Sequence, residues 1–456
     1  MSTYMEEYKS KLITAEKAAQ LVQSDDLIEY GAFNTKPVDF DIALGKRAGD
    51  GLQRVSVRGS GTVPPIPQII QMDPKGETFQ YYNWYYTALD RAAAEHGLCN
   101  YVTVNYHEAL SMFGNEKYYH TWPDIWIAQV TPMDNNGCFN FGIGNSHSRS
   151  CALFNRRLAI VEVNENLPYC PGGNAEYVHI SEIDYIIEGS NSPIFCSPPA
   201  DPASPEEEKI ANYIMEEIHD GCLIQLGIGS MPNLLGNKIA HSGLKDLGVQ
   251  TEMFSDCYVE MYKHGCITNR KKAFDLDKST YTFCLGTQET YDFLNGNPRC
   301  ASVSCEYSNN PIAIAQHENV ISINNIIELD LLSQVSSETN GLRQISGIGG
   351  QMDWTFGAFH SKGGKGILAF TSTYKDKDGN LKSRIKPLLT TGSIVSVTRP
   401  SVHYLVTENG IVNMKSKSAW ARTEAVINLA HPEFRDDLLK SAKEMGIWSR
   451  TNRNPC

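Results

Sequence analysis

The sequence lacks several motifs by which catalytic sites are commonly recognised. It has no GxxxxGK[ST], which excludes a P-loop, and no GxSxG, which excludes the nucleophile elbow of an α/β-hydrolase. It has no CxxC pair, and no cysteine falls at zinc-ligand spacing with histidines, so no metal site is predicted. The pair Gly227 and Gly229 lacks the third glycine of a dinucleotide fingerprint, which argues against NAD.

Long apolar runs and an excess of basic residues are missing too. No stretch of about 18 apolar residues could span a bilayer. The first residues, MSTYMEEYKSKL, lack the basic and apolar regions of a signal peptide. We therefore expect a cytoplasmic protein without a membrane partner. The net charge of −12 argues against a nucleic-acid partner.

Cysteine, in contrast, is frequent, with 12 residues that lie mostly in apolar segments. Buried, reduced thiols in a reducing cytosol are the simplest interpretation. Cys257 follows Glu252 by five residues, so a catalytic thiol stays open as an alternative.

A length of 456 residues predicts two domains, and a repeated pattern supports that prediction. An amphipathic helix, Asp, an apolar strand, Gly, Pro and another helix occur in this order around residues 14–45 and again around residues 204–241. Strands are predicted at residues 27–30 and 158–163, a capping box at Ser204–Glu207 predicts a helix start, and a helical tail is predicted from Ala419 to Met445. The proline-rich run at 197–202 would be the linker. We predict similarly built α/β domains at residues 1–202 and 203–456, with mostly parallel or mixed sheets, because β- and α-type segments alternate.

The stretch from Gly221 to Asp256 carries the strongest functional signal. The apolar run CLIQL ends in the Gly227–Gly229 turn, a helix follows, and a second glycine turn is predicted at Gly248. A strand that ends in glycines and leads into a helix suits a phosphate or a flat acyl group. Glu252 follows in an apolar setting, where a carboxylate could act as base, ligand or nucleophile.

Two further glycine clusters lie downstream. Residues 345–353, ISGIGGQMD, would let backbone pass close to a ligand. Residues 360–366, HSKGGKG, together with Lys375 and Lys377, predict a basic island suited to a phosphorylated ligand, although a basic surface turn is the simpler interpretation.

These segments resemble a known family. GIGSMPN, GVQTEMFSD, ISGIGGQMDW, SKGGKG and INLAHPEFRDDL look like the acetyl-CoA hydrolase/CoA-transferase family. Within it, the butyryl-CoA:acetate CoA-transferases are most similar, followed by the 4-hydroxybutyrate CoA-transferases. The chain departs from the usual pattern at Gln250, Cys257 and Asn409, which leaves the acyl group open.

The resemblance implies two related α/β domains with the active site in the cleft between them. It implies that Glu252 is a nucleophile that forms a glutamyl-CoA thioester while CoA moves from a short-chain acyl-CoA, with butyryl favoured, to acetate. CoA would be a substrate, with no tightly bound cofactor, and a homo-oligomer is expected. The family's CoA contacts carry over to Gly227, Ile228, Gly229, Ser230, Met231, Ile327, Gly350 and Lys377.

Three alternatives remain from the sequence. A 4-hydroxybutyrate or propionate CoA-transferase, or an acyl-CoA hydrolase, would use the same glutamate. A thiol enzyme would use Cys257 instead. A non-catalytic CoA-binding or scaffold protein would form no covalent adduct with CoA at Glu252.

Overall fold

The computed structural model describes residues 3–109, 122–154, 157–199, 201–227 and 229–449. Ile228 lies outside these residues. In the part of the chain described, no helix has both the length and the apolar character needed to cross a membrane.

The α-helices of the described residues are α1 Thr3–Lys11, α2 Ala15–Gln20, α3 Asp39–Gly45, α4 Gln68–Met72, α5 Ala88–Glu95, α6 Ser148–Phe154, α7 Pro205–Met215, α8 Ser230–His241, α9 Asp256–Lys263, α10 Gln288–Leu294, α11 Cys305–Ser308, α12 Pro311–Gln316, α13 Gln351–His360, α14 Ala419–Leu429 and α15 Pro432–Glu444. Short 3₁₀ helices cover Phe33–Thr35, Tyr106–Glu108 and Ile180–Glu182.

The strands up to residue 254 are β1 Leu27–Tyr30, β2 Val55–Gly59, β3 Phe79–Asn83, β4 Cys99–Tyr101, β5 Ile125–Val130, β6 Cys138–Asn140, β7 Leu158–Val163, β8 Tyr177–His179, β9 Tyr185–Glu188, β10 Leu223–Leu226, β11 Gly248–Val249 and β12 Met253–Phe254. The later strands are β13 Ser279–Tyr281, β14 Phe283–Cys284, β15 Cys300–Ser302, β16 Val320–Asn325, β17 Glu328–Asp330, β18 Val335–Ser336, β19 Thr339–Asn340, β20 Arg343–Gln344, β21 Lys365–Ala369, β22 Thr373–Lys375, β23 Leu381–Ser383, β24 Ile385–Lys386, β25 Tyr404–Thr407 and β26 Gly410–Asn413.

The chain forms two compact units. Unit 1 contains residues 1–198, 252–254 and 278–308, and unit 2 contains residues 199–251, 255–277 and 309–456. Glu252 therefore belongs to unit 1, although the segments on either side of residues 252–254 belong to unit 2. The predicted division between residues 202 and 203 stays a prediction.

Unit 1 is built on a seven-stranded sheet with the order β4-β3-β2-β1-β5-β7-β9. All of its neighbouring strands are parallel. Its central strands β5 and β7 are buried on both faces, as is usual for a parallel sheet. One apolar cluster contains Phe40, Val57 and Ile127, and another contains Trp126, Phe139 and Phe283.

Unit 2 is built on a six-stranded sheet with the order β11-β10-β16-β21-β25-β26. The strands are parallel except for β26, which pairs antiparallel with β25. The mixed α/β class with mostly parallel sheets is therefore confirmed. Leu329, Leu405 of β25 and Leu429 of α14 belong to a large apolar cluster of this unit.

The sequence identified most central elements, and its errors have local causes. Strands β1 and β7 have the predicted bounds, and the predicted Ser204–Glu207 capping box begins α7. Gly248 is not in a turn, because it pairs with Leu223 of β10. The predicted helix from Ala419 to Met445 is broken by Pro432, which starts α15.

Candidate active site

The backbone of Glu252 is held by hydrogen bonds from the residues at the start of β14. Strand β12 pairs in parallel with β14 of the same unit. The Glu252 carbonyl oxygen accepts hydrogen bonds from the N–H groups of Thr282 at 3.0 Å and Phe283 at 3.3 Å. The residue is only partly buried. A fixed main chain thus carries a carboxylate that retains some access to solvent.

Two tyrosine hydroxyls lie within electrostatic reach of Glu252. Burial raises the pKa of Tyr106 well above its usual value, and the negative charge of Glu252 adds to that rise. Burial and then Glu252 raise the pKa of Tyr85 as well. Tyr85 belongs to the aromatic cluster of residues 81–86, whose members Tyr81, Trp84 and Tyr86 are buried, whereas Tyr85 is 36% exposed. Both hydroxyls stay neutral at physiological pH.

Tyr106 is the end of a buried chain of polar side chains, which we call the Tyr106 chain. Its hydroxyl lies 2.6 Å from the Ser146 hydroxyl, and Ser146 Oγ lies 2.9 Å from His147 Nδ1. His147 Nε2 lies 2.8 Å from a carboxylate oxygen of Glu29, which also pairs with Arg58. A carboxylate only accepts, so His147 Nε2 donates to Glu29. In the neutral imidazole, Nδ1 then accepts from Ser146, and Ser146 accepts from Tyr106.

The Tyr106 chain is joined to the Glu252 backbone through one residue, Thr282. Ser146 N–H donates to the Thr282 carbonyl at 3.0 Å, and Thr282 N–H donates to the Glu252 carbonyl. Ser146 has φ +48°, a left-handed conformation that costs energy for serine and needs surrounding contacts to hold it. Sequence analysis missed these residues, because Glu29, Tyr106 and His147 are distant in the chain and form no recognised motif.

In unit 2, the glycine turn predicted for CoA lies at the start of α8. Gly229 has φ +124° and is the N-cap of this helix. A Cβ on either Gly227 or Gly229 would meet no heavy atom of the described residues within 4 Å. The Ser230 hydroxyl donates to Glu207, and Met231 is buried, so the side chains here serve the fold. Open space beside the backbone of a glycine turn is what an approaching ligand requires.

Tyr258 connects the glycine turn to the residue before Glu252. Its hydroxyl accepts the N–H of Leu226 at 2.8 Å and donates to Thr251 Oγ1 at 3.1 Å. Leu226 is the last residue of β10 and precedes Gly227. The Tyr258 hydroxyl therefore holds both the end of β10, just before the glycine turn, and Thr251, the residue that precedes Glu252.

The remaining predicted CoA contacts lie elsewhere in unit 2. Ile327 uses its backbone internally, since its N–H donates to Ser336 at 2.9 Å and its carbonyl accepts from Arg384 at 3.3 Å. Gly350 is the N-cap of α13. Lys377 is exposed in the turn that joins β22 to β23.

The basic island predicted from residues 360–366 is largely neutralised. Lys362 pairs with Glu318 at 2.9 Å, and Lys365 pairs with Glu217 at 2.6 Å. An exposed pair of this kind contributes little to stability, but it offsets the local positive charge.

Cys257 lies in a setting that does not activate a thiol. The residue is buried, and burial raises the pKa of its thiol to about 12. Its sulfur lies 3.2 Å from the Ser255 hydroxyl. A nucleophilic cysteine needs a lowered pKa, so this geometry disfavours the thiol alternative.

The sequence matches the acetyl-CoA hydrolase/transferase N-terminal domain over residues 1–196 and the C-terminal domain of the same family over residues 286–442. The chain belongs to this family. A butyryl-CoA:acetate CoA-transferase of Anaerostipes caccae is 43% identical over 99% of this chain and 100% of that protein. A probable butyrate:acetyl-CoA coenzyme A-transferase of Syntrophomonas wolfei is 43% identical over 98% of each chain.

Two solved structures have the same fold. RipA from Yersinia pestis is 34% identical, with a TM-score of 0.88 over 98% of this chain and 100% of that one. A 4-hydroxybutyrate CoA-transferase from Porphyromonas gingivalis is 27% identical, with a TM-score of 0.78 over 97% of this chain and 100% of that one. The prediction of a CoA-transferase-like fold is therefore confirmed.

Proposed function

We propose that this enzyme transfers CoA from a short-chain acyl-CoA, preferably butyryl-CoA, to acetate. The observation that carries the proposal is the match along essentially the whole chain to a butyryl-CoA:acetate CoA-transferase at 43% identity. The named relatives support an enzyme of the CoA-transferase type. A cytoplasmic location and a homo-oligomeric state belong to the same proposal.

In the proposed mechanism, Glu252 divides the transfer into steps. Its carboxylate attacks the acyl-CoA carbonyl, which gives a mixed acyl–glutamyl anhydride and CoA thiolate. The thiolate then attacks the glutamyl carbonyl, which forms the enzyme–CoA thioester and releases the carboxylate of the donor acid. Acetate reverses the sequence and leaves as acetyl-CoA. One thioester replaces another, so the atoms and charges balance without an oxidant or a reductant.

CoA binding is assigned to the residues named from the sequence, with unequal support. The open space at Gly227 and Gly229 and the helix N-terminus at Ser230 favour backbone contacts with the ligand. Gly350 has a comparable place at the start of α13. Ser230 and Met231 would contribute through their N–H groups, and Ile327 through its side chain. Lys377 would act as an exposed cation.

The Tyr106 chain is assigned a positioning role. It holds Ser146 in its left-handed conformation, Ser146 holds Thr282, and Thr282 holds the Glu252 peptide. Correct placement of a nucleophile is worth several kcal/mol, because the bound reactants need no further search. The connectivity Ser146–His147–Glu29 is that of a catalytic triad, but Ser146 is fully buried and engaged by Tyr106, so it is not assigned as a nucleophile.

The decisive experiment is to trap the intermediate. The protein is incubated with butyryl-CoA without acetate, treated with hydroxylamine or borohydride, digested, and analysed by mass spectrometry. We expect modification at Glu252 and nowhere else, with ping-pong kinetics in the steady state. If the intact protein never gains the mass of CoA at this residue, the mechanism is wrong.

An acyl-CoA hydrolase is the second candidate, because an acetyl-CoA hydrolase of Saccharomyces cerevisiae is 28% identical over 52% of this chain and one of Yarrowia lipolytica is 27% identical over 63%. Water would then replace acetate as the acceptor. Formation of acetyl-CoA that depends on acetate indicates the transferase, whereas release of free CoA thiol at the same rate without acetate indicates the hydrolase.

The donor is tested by a panel of acyl-CoA substrates with acetate, analysed by chromatography. A 4-hydroxybutyrate coenzyme A transferase of Clostridium kluyveri is 37% identical over 96% of this chain, so 4-hydroxybutyryl-CoA belongs in that panel. One methylene or hydroxyl changes specificity by only about 1–3 kcal/mol in an apolar pocket. We expect butyryl-CoA to have the highest kcat/KM.

A further inference from the structure

Three potential metal ligands meet where α8 and α9 pack together in unit 2. His241 is the last residue of α8, and Glu260 and His264 lie one turn apart at the end of α9. One ligand atom from each side chain lies within 4.8 Å of the others. The rings of His241 and His264 have centroids 4.4 Å apart. Both histidines are exposed at the surface.

The close helix packing that produces this cluster depends on Gly236. A Cβ at Gly236 would lie 2.4 Å from the Cβ of Cys257, so a side chain there would force the helices apart. His241 and Glu260 lie about one turn beyond these two residues on their helices. The approach of the two backbones therefore brings the cluster together.

Both histidines use Nδ1 in a contact with a backbone carbonyl of their own helix. Nδ1 of His241 lies 2.8 Å from the Asn237 carbonyl, and Nδ1 of His264 lies 3.0 Å from the Glu260 carbonyl. A carbonyl only accepts, so each Nδ1 carries the proton and each Nε2 keeps its lone pair. Donation from the second ring nitrogen to a carbonyl is the usual arrangement around a metal-bound histidine.

We propose that His241, Glu260 and His264 form a binding site for a divalent transition metal, with Zn²⁺ as the best-suited ion. Two imidazoles and one carboxylate form a ligand set of the zinc type, and water would complete a tetrahedron. Tetrahedral coordination needs ligand atoms about 3.4 Å apart, so small side-chain rotations must close the cluster. Glu260 Oε2 also lies 3.4 Å from Lys263 Nζ, and Glu260 Oε1 lies 3.4 Å from His264 Nδ1. The carboxylate must turn away from these two contacts to bind the metal.

The test uses the full-length protein, ZnCl₂ and isothermal titration calorimetry, with thermal unfolding as a second measurement. We expect wild type to bind one Zn²⁺ in the micromolar range and to melt at higher temperature with Zn²⁺, and MgCl₂ to have neither effect. His264→Ala and His241→Ala should each weaken this binding at least tenfold without lowering the melting temperature of the metal-free protein.

His360→Ala is the matched control. His360 is also exposed, and its Nδ1 bonds the Phe356 carbonyl four residues earlier at 2.9 Å, but it is not part of the three-residue cluster. The control should bind Zn²⁺ like wild type. Absence of saturable binding below 1 mM, or binding that survives both His241→Ala and His264→Ala, would overturn the proposal.

Discussion

At the scale of single residues, the surroundings of Glu252 determine what its carboxylate can do. Two backbone N–H groups fix its carbonyl, and its negative charge raises the pKa of Tyr85 and Tyr106. Phe283, which donates to Glu252, also packs edge-on against Tyr106, with ring centroids 6.1 Å apart. The residue is therefore positioned from its main chain, while its side chain keeps some access to solvent.

Replacement of the Glu252 carboxylate should abolish turnover without unfolding the protein. We expect Glu252→Gln to lower kcat by roughly 10³-fold or more, because the amide is not a nucleophile, and Glu252→Asp to retain slight activity at best. Steady-state kinetics with butyryl-CoA and acetate measure this loss. Glu306→Gln, an exposed glutamate of the same unit, is the control and should retain wild-type kcat.

Removal of the Tyr106 hydroxyl should affect catalysis more than binding. We expect Tyr106→Phe to lower kcat roughly 10- to 100-fold with little change in KM, because Ser146 and the Glu252 peptide lose their anchor. Tyr30→Phe is the matched control, since Tyr30 is equally buried and donates to Asp41 at 3.1 Å. Each variant loses a buried hydrogen bond of about 1–2 kcal/mol.

The comparison of these two variants separates positioning from stability. If both lower the melting temperature similarly and only Tyr106→Phe lowers kcat, the Tyr106 chain positions Glu252. Equal kcat values in the two variants would show that the Tyr106 chain contributes only to the stability of the fold. The trapping experiment on wild-type Glu252 is done first. A failure of the proposed mechanism is then distinguished from a failure of the positioning role.

At the scale of secondary-structure elements, helix α8 uses glycine for two different purposes. Gly227 and Gly229, before the helix, leave open space, whereas Gly236 within it allows contact with Cys257 of α9. Helix α9 also supplies Tyr258, which bonds Leu226 and Thr251. The α8–α9 pair thus supports the turn, the residue before Glu252 and the proposed metal site.

Alanine substitutions at Gly236 and Gly227 should have different effects, the first on the stability of the protein and the second on acyl-CoA binding. We expect Gly236→Ala to lower the free energy of unfolding by about 1–3 kcal/mol, because its Cβ would overlap Cys257. Gly227→Ala should change stability by less than about 0.5 kcal/mol but raise KM for acyl-CoA. Urea unfolding and steady-state kinetics measure the two effects. An unchanged KM in Gly227→Ala would contradict its assignment to CoA binding.

At the scale of the whole molecule, buried histidines couple stability to pH. Burial lowers the pKa of His317 from 6.5 to about 3 and that of His403 to about 4. His317 is bound in its neutral form, since Nδ1 accepts from Ala273 at 3.0 Å and Nε2 lies 2.7 Å from Gln250 Oε1. The unfolded chain binds protons at higher pH than the folded one at both positions.

Stability should therefore fall as the pH decreases below 6.5. Because the folded pKa values are depressed, the contribution is present above pH 6.5 and is lost as pH falls through the folded values. Between pH 6.5 and pH 5, we expect a loss of roughly 1.5 kcal/mol for each histidine. Denaturant unfolding at several pH values measures it. The double variant His317→Gln, His403→Gln should flatten this dependence, and an unchanged slope would contradict the explanation.

The sequence by itself determined the family, the α/β class and the local signals for which neighbouring residues suffice. The capping box at Ser204, the apolar strand β10 and the glycine turn after it all follow from residues close together in the chain. Several separated motifs in one order also identified the acetyl-CoA hydrolase/transferase family, whose two domains match residues 1–196 and 286–442.

Only the tertiary structure decided which distant residues surround Glu252. Glu29, Tyr106 and His147 lie in separate segments of the sequence. Parallel strands and buried hydrogen bonds bring them together in the Tyr106 chain. It also decided that the Cys257 thiol is buried, with a raised pKa, and that Gly248 belongs to a strand. Burial and strand pairing depend on contacts between segments far apart in sequence, so local sequence patterns do not predict them.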